Sequence, residues 1–284
     1  MRKVAVFGST GLVGSNLFHY FSNNGSVQGS CRHSDGADNR FLYGVKFDDL
    51  TNIDFSDFSE IYYTIHSPHF DELKIQEKFR YNYLLYHNFL NHLYYINFPG
   101  VVFYSSTEAV QRISDMNFGS HGFDYAYTHL MCERLSYFCK DKIKVYNYRH
   151  PNLFGYNHYK KRYEGVICDF IESSLKAEKI FLKSDGAALR EFRMVDSDLA
   201  LYDGCERIPD CNAYRSTRSK FSILEWSALV AKTVGEAKQR RVELNVMGQA
   251  VNCDKILCDS KIYDESSILS DIKLTVDHMM GDLQ

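Results

Sequence analysis

The first residues suited to chemistry are the glycines of Gly8-Ser9-Thr10-Gly11-Leu12-Val13-Gly14. Without a Cβ, a turn built on glycine lets backbone amides and the positive end of a following helix approach a pyrophosphate. The chain then carries no acidic residue until Asp35, and its next strand-like run ends in Ser30-Cys31-Arg32-His33. A site selective for a free ribose 2′-hydroxyl places Asp or Glu about 20 residues past the glycines, so the cation Arg32 instead suits a 2′-phosphate. Further on, Tyr125 and His129 stand four residues apart, which puts phenol and imidazole on one face of a helix. The eight cysteines (31, 132, 139, 168, 205, 211, 253 and 258) contain no C-x-x-C. Neither a metal site nor a disulfide framework is expected from them, and reduced thiols in a cytoplasmic protein are.

These residues need elements to hold them. Residues 3–7 read as a short strand, and Leu12, Val13, Leu17, Phe18 and Phe21 behind the glycines mark one face of a helix. Further strands are expected at 26–31, more weakly at 43–47, and at 60–66, 101–104 and 143–148. Between them, a long helix over 70–97 closes at Pro99-Gly100, and another runs over 124–140. Alternation of strand and helix over about 150 residues is the pattern of an α/β, doubly wound parallel sheet. Past Pro151 it degrades into a Tyr- and Lys-rich loop at 156–163 and helices near 164–177 and 222–234, suited to a smaller second lobe.

Composition limits the partners. The 284 residues make one large or two modest domains, and 45% hydrophobic with 24% charged residues excludes wholesale disorder. A net charge of −3, with no basic run longer than Lys160-Lys161-Arg162, argues against nucleic acid or an acidic membrane surface. The apolar run before Gly8 is too short for a signal peptide, and no stretch approaches the roughly 20 apolar residues of a membrane span. Aromatic residues reach 15%; those at helical spacing over 81–95 suit packing, within the core or across a dimer.

The G-x-x-G-x-x-G spacing resembles that of the extended short-chain dehydrogenase/reductase family of nucleotide-sugar epimerases, dehydratases and ketoreductases. Other stretches are similar in the same order. Phe103-Tyr104-Ser105-Ser106-Thr107-Glu108-Ala109-Val110 resembles the family's strand-end Ser/Thr cluster, with Thr107 in the place of the catalytic hydroxyl, although Gln111-Arg112 replaces the usual aromatic-glycine pair. Tyr125 takes the tyrosine place of the family's Tyr-x-x-x-Lys element, and His129 stands where its lysine belongs. Asn82 matches an asparagine that stabilises the active-site framework, and Asp48 lies where an acid contacts adenine. Arg149 to Gly155, containing Asn152, resembles the segment leaving the sixth strand for the substrate lobe. Asp185 to Asp196, containing Arg190, resembles one whose arginine meets a sugar-nucleotide diphosphate.

The resemblance implies a Rossmann-type fold with a smaller mixed α/β substrate lobe. Residues 1–150 form the dinucleotide-binding domain, to which the chain returns around 190–215, and 151–284 form most of the substrate lobe. It implies a homodimeric enzyme that uses NADP(H), with NAD(H) as the alternative. Residues 8–14, Arg32, Asp48 and His129 bind the cofactor; Thr107, Tyr125 and His129 are catalytic; Asn152 and Arg190 meet the substrate. The expected reaction is reduction of a nucleotide-linked 4-keto sugar with Tyr125 as proton donor. The alternatives are an epimerase and, because the lysine is missing, a non-catalytic NADP-binding sensor or scaffold.

Overall fold

Val4 to Phe7 are all buried, because their strand, β1 (Lys3–Phe7), is covered on both faces inside a sheet. The computed structural model describes residues 3–24, 26–31, 41–43, 53–66, 77, 79–199, 206–208, 213–215, 219–258, 260, 262 and 266–282. Beside β1 lie β2 (Ser26–Cys31) and β3 (Phe41–Tyr43) on one side, and β4 (Glu60–Tyr63), β5 (Val101–Thr107) and β6 (Lys144–His150) on the other. The order is β3-β2-β1-β4-β5-β6, continued by two short strands from much later in the chain, Ala213–Arg215 and then Glu206–Ile208. All pair in parallel except the last, which is antiparallel to its neighbour. The chain goes one way from β1 to β2 and the other way to β4, so the β1–β4 boundary is where strand order reverses. Ligands of open parallel sheets bind outside the strand ends at that point.

Three helices matter to the site: α1 (Leu12–Asn24), α2 (Leu85–Tyr95) and α3 (His121–Phe138). Helix α2 buries Leu85, Tyr86, Phe89, Leu90 and Leu93 against the sheet. Ring contacts join Phe89 to Phe7 (5.5 Å) and Tyr63 (4.9 Å), and Tyr86 to Tyr104 (4.4 Å). These aromatics of the 81–95 run are core. Immediately before α2, Arg80–Leu84 form one π turn, a local widening common near functional sites. Asn82 sits in it, and its carbonyl accepts the thiol hydrogen of Cys132 at 3.5 Å.

Some boundaries differ from the sequence expectation. β4 stops at Tyr63, which pairs with Phe7 at the end of β1, and not near residue 66; just past it the Thr64 hydroxyl donates to the Phe7 carbonyl at 2.8 Å. The strand expected at 43–47 is seen as β3 at 41–43, and residues 44–47 lie outside those described. β5 and β6 each run on, pairing through to Thr107 and His150.

Contacts divide the chain into two units: residues 1–150, 157–160 and 203–217, and residues 151–156, 161–202 and 218–284. The second unit packs helices Val166–Ala177, Ile223–Lys238 and Ser266–Asp282 with small two- and three-stranded sheets around the fully buried Trp226. Ser222 and Glu225 form a capping box that starts the Trp226 helix. Among the described residues no helix is long and apolar enough to cross a membrane.

Candidate active site

The glycine turn follows β1 at the sheet's switch point. Gly8 adopts φ +87°, and a Cβ on Gly14 would stand 2.2 Å from the Gly8 carbonyl oxygen, so the turn and the start of α1 demand glycine at both positions. Gly11 is different: its Cβ would come no nearer than 3.4 Å to that oxygen, an ordinary contact. Among the described residues, nothing requires glycine there. Ser9 is buried, and the Thr10 carbonyl accepts from Asn157 Nδ2 at 3.2 Å. Leu12 and Val13 open α1, where amide groups lack intrahelical partners.

On the other side of the switch point, β5 delivers Ser105, Ser106 and Thr107 at its end. Thr107 caps the following 3-10 turn, accepting from the Ala109 amide at 3.2 Å, and its hydroxyl shares a hydrogen bond with Tyr125. Helix α3 starts at the Ser120 cap, whose hydroxyl accepts from the Phe123 amide. Its inward face carries Tyr125, His129 and Glu133, each one turn beyond the last. Tyr127, pointing the other way, is exposed. Burial raises the Tyr125 pKa, partly offset by the Thr107 hydroxyl.

His129 is only 1% exposed. Its Nδ1 lies 2.9 Å from the Tyr104 hydroxyl, and its ring meets those of Tyr125 (4.7 Å) and His66 (4.4 Å). Burial, followed by the nearby His66 and His150, drives its pKa well below the usual histidine value. His66, just past β4, lies with Nε2 2.9 Å from the Ser105 carbonyl oxygen. Burial lowers its pKa to about 4, against the opposing pull of that carbonyl, with a smaller lowering by His150. Burial thus keeps both of these imidazoles uncharged near neutral pH.

Below them lies a network that the sequence reading did not assemble. Glu133, fully buried, takes Arg149 Nε at 2.9 Å and Nη2 at 2.6 Å, and also the Ser106 hydroxyl at 2.6 Å. The carboxylate thereby locks α3 to β5 and β6 immediately beside Thr107. A signal was present: Glu133 lies at +4 from His129, on the buried face, and a charge there requires a partner. Tyr104, buried among aromatics, was equally hidden, since its strand position reads only as core.

Asn152 and Arg190 belong to the second unit. The Asn152 side chain donates to the Glu191 carbonyl oxygen at 3.0 Å, and half-buried Arg190 donates from Nη1 to the Leu189 carbonyl oxygen at 2.8 Å. Arg32 and Asp48 lie outside the described residues.

The model of the NAD dependent epimerase/dehydratase family matches residues 4–200, and the chain belongs to that family. No curated protein matches the sequence. Among solved structures, the chain is similar to UDP-glucose 4-epimerase from Thermotoga maritima with UDP-glucose (17% identity, TM-score 0.71, 99% of this chain and 100% of that one). It is also similar to ADP-L-glycero-D-manno-heptose-6-epimerase of Helicobacter pylori (14%, 0.72, 98% and 96%). A third is the Bordetella bronchiseptica enzyme WbmF in complex with NAD+ (16%, 0.70, 99% and 93%). At such identities these likenesses establish the Rossmann-type fold.

Proposed function

We propose that the protein is an NAD(P)H-dependent reductase of a nucleotide-linked 4-keto sugar. The observation that carries this reading is the pairing of Tyr125, whose hydroxyl burial keeps protonated, with a buried neutral His129 in place of a cation. Similar structures that hold NAD+ or UDP-glucose support the ligand classes. The glycine turn, with Gly11 open to a phosphate, fits a dinucleotide. Residues 8–14 would hold its pyrophosphate, Arg32 its 2′-phosphate, Asp48 its adenine and His129 its second ribose. Arg32 makes NADP(H) the preferred form. The first unit takes the cofactor; the second, through Asn152 and Arg190, takes the sugar nucleotide.

When bound, the nicotinamide supplies the hydride to the carbonyl carbon. Thr107 orients the carbonyl oxygen and Tyr125 gives it the proton. A phenol whose pKa lies above 10 still protonates an alkoxide readily. As a base it is poorly populated, below about one molecule in a thousand at pH 7. Reduction is therefore favoured over the oxidation half-reaction that an epimerase also needs. The exposed rings of Tyr95 on α2 and Phe138 on α3 suit pairing of two copies.

The test is turnover of nucleotide-linked 4-keto sugars with NADPH and NADH, using Tyr125→Phe as control. Consumption of NADPH abolished by the substitution is the expected result. Interconversion of two sugar nucleotides without net cofactor consumption would mark an epimerase. Cofactor binding without any turnover would mark a sensor or scaffold.

A further inference from the structure

Residues 157–160, the tip between the strands Asn152–Asn157 and Arg162–Glu164, group with the first unit. This tip makes two contacts that no step of the proposed reaction uses. Asn157, fully buried, donates from Nδ2 to the Thr10 carbonyl oxygen at 3.2 Å, while its Oδ1 accepts from the amides of Tyr159 (3.1 Å) and Lys160 (3.0 Å). Its neighbour His158 stacks on His19 of α1, with ring centroids 3.9 Å apart and planes 6° from parallel.

The Thr10 carbonyl is one end of a peptide group whose other end is the Gly11 amide, and that amide donates to the Gly8 carbonyl oxygen at 3.0 Å. Asn157 therefore completes a clamp that holds the Thr10–Gly11 peptide at both ends. A clamp matters here because Gly11 has no Cβ to restrict rotation about its φ. Rotation of the peptide plane exchanges the directions of carbonyl and amide, and a carbonyl turned toward a bound anion repels it. The Gly11 carbonyl oxygen in turn accepts from the Ser15 amide at 2.8 Å, so the orientation set at Thr10 passes into the first turn of α1. The amides of Leu12, Val13 and Gly14 lie in that turn and lack intrahelical acceptors.

We propose that Asn157 and His158 are positioning residues for the dinucleotide: Asn157 fixes the peptide plane of the glycine turn and His158 anchors the tip to α1, so that the three helix-opening amides stand ready for a pyrophosphate. The proposal rests on the dinucleotide reading above. Each residue acts through the backbone or helix it holds and not by contact with the ligand. Holding a site in its binding geometry beforehand removes an ordering cost from association and so raises affinity. The gain belongs to the pyrophosphate end. It is therefore the same for every ligand seated on the turn, with or without a nicotinamide.

The experiment measures calorimetric binding of ADP and of NADPH to the full chain, with the melting temperature of each ligand-free variant alongside. Asn157→Ala opens the clamp, and its loss of one hydrogen bond is expected to weaken both ligands about 2- to 10-fold, by the same factor. His158→Ala removes the ring stack from a half-buried position that folding tolerates, and is expected to weaken both ligands in the same range; His158→Phe keeps a ring on His19 and should restore wild-type affinity. If Asn157→Ala does not fold, the His158 pair decides. A lower melting temperature without loss of affinity would make these residues purely structural and overturn the proposal. So would a loss for NADPH alone, or a His158→Phe variant as weak as His158→Ala; each of these leaves the dinucleotide reading standing. Failure of the wild-type protein to bind ADP, NADPH or NADH would overturn both.

Discussion

At the scale of single residues, the distinctive feature is bases kept uncharged by burial. The His66 pKa in the folded protein, about 4, lies below the unfolded value of roughly 6.5. Between those values the unfolded chain binds a proton that the folded protein refuses. The stabilisation is therefore present above about pH 6.5 and lost as pH falls toward 4, with His66 accounting for about 2 to 3 kcal/mol by pH 4.5. Urea unfolding at pH 7 and pH 4.5 should show His66→Gln losing less stability than wild type by about that amount; parallel losses would refute the assignment. Tyr125 is shifted the other way, so the reductive rate should be level from about pH 6 to 9, with no step from His129. His129→Lys places a cation beside Tyr125. Each unit by which it lowers the phenol pKa raises the phenolate population tenfold, and alcohol oxidation at pH 8 should rise about 10-fold or more. Unchanged oxidation across the pH series would take His129 out of the proton chemistry.

At the scale of elements, the site depends on how α1 and α3 meet the sheet. Glu133 ties α3 to β5 and β6 through Ser106 and Arg149. Removing one partner of a buried pair strands the other charge, so Glu133→Ala should cost about 3 to 5 kcal/mol in urea unfolding. Adding Arg149→Met should recover much of that loss, because an apolar pair has no stranded charge. If the double variant is no more stable than Glu133→Ala, the cost comes from packing. The glycine turn makes a contrasting case. Gly14→Ala pushes a Cβ to 2.2 Å from the Gly8 carbonyl oxygen, which should lower stability by about 1 to 3 kcal/mol. Gly11→Ala has room, and its melting temperature should stay close to wild type while NADPH affinity falls. Equal NADPH affinity in thermal-shift titrations would separate Gly11 from cofactor binding.

At the scale of the whole molecule, the first unit is not continuous in sequence. Its sheet extends beyond β6 through Ala213–Arg215, paired in parallel with residues 147–149. A chain truncated after Lys160 keeps β1 to β6 but exposes the edge of β6 with its unpaired amides and carbonyls, a template for association. Such a truncation should aggregate at concentrations where the full chain scatters no light. If it stays monomeric, the later strands are dispensable for closing the sheet edge.

Local spacing carried the glycine turn between β1 and α1 and the alternation of β1 to β6, because a strand–glycine–helix junction and a doubly covered strand are written in adjacent residues. It also put Tyr125 and His129 on one helix face. The same local code could not join Glu133 to Arg149, or His66 to Ser105 and His129, since those partners lie 16, 39 and 63 residues apart and meet only when the parallel strands register. The end of β4 was misread for a similar reason: Thr64 leaves the strand to bond across to the end of β1. The charge state of the site was likewise out of reach. An isolated histidine titrates near neutrality, and only burial beneath β5 and beside two other imidazoles makes His129 a neutral group. Residue types and their periodicity are properties of the sequence; which polar atoms lose water, and what they face when they do, is decided by packing.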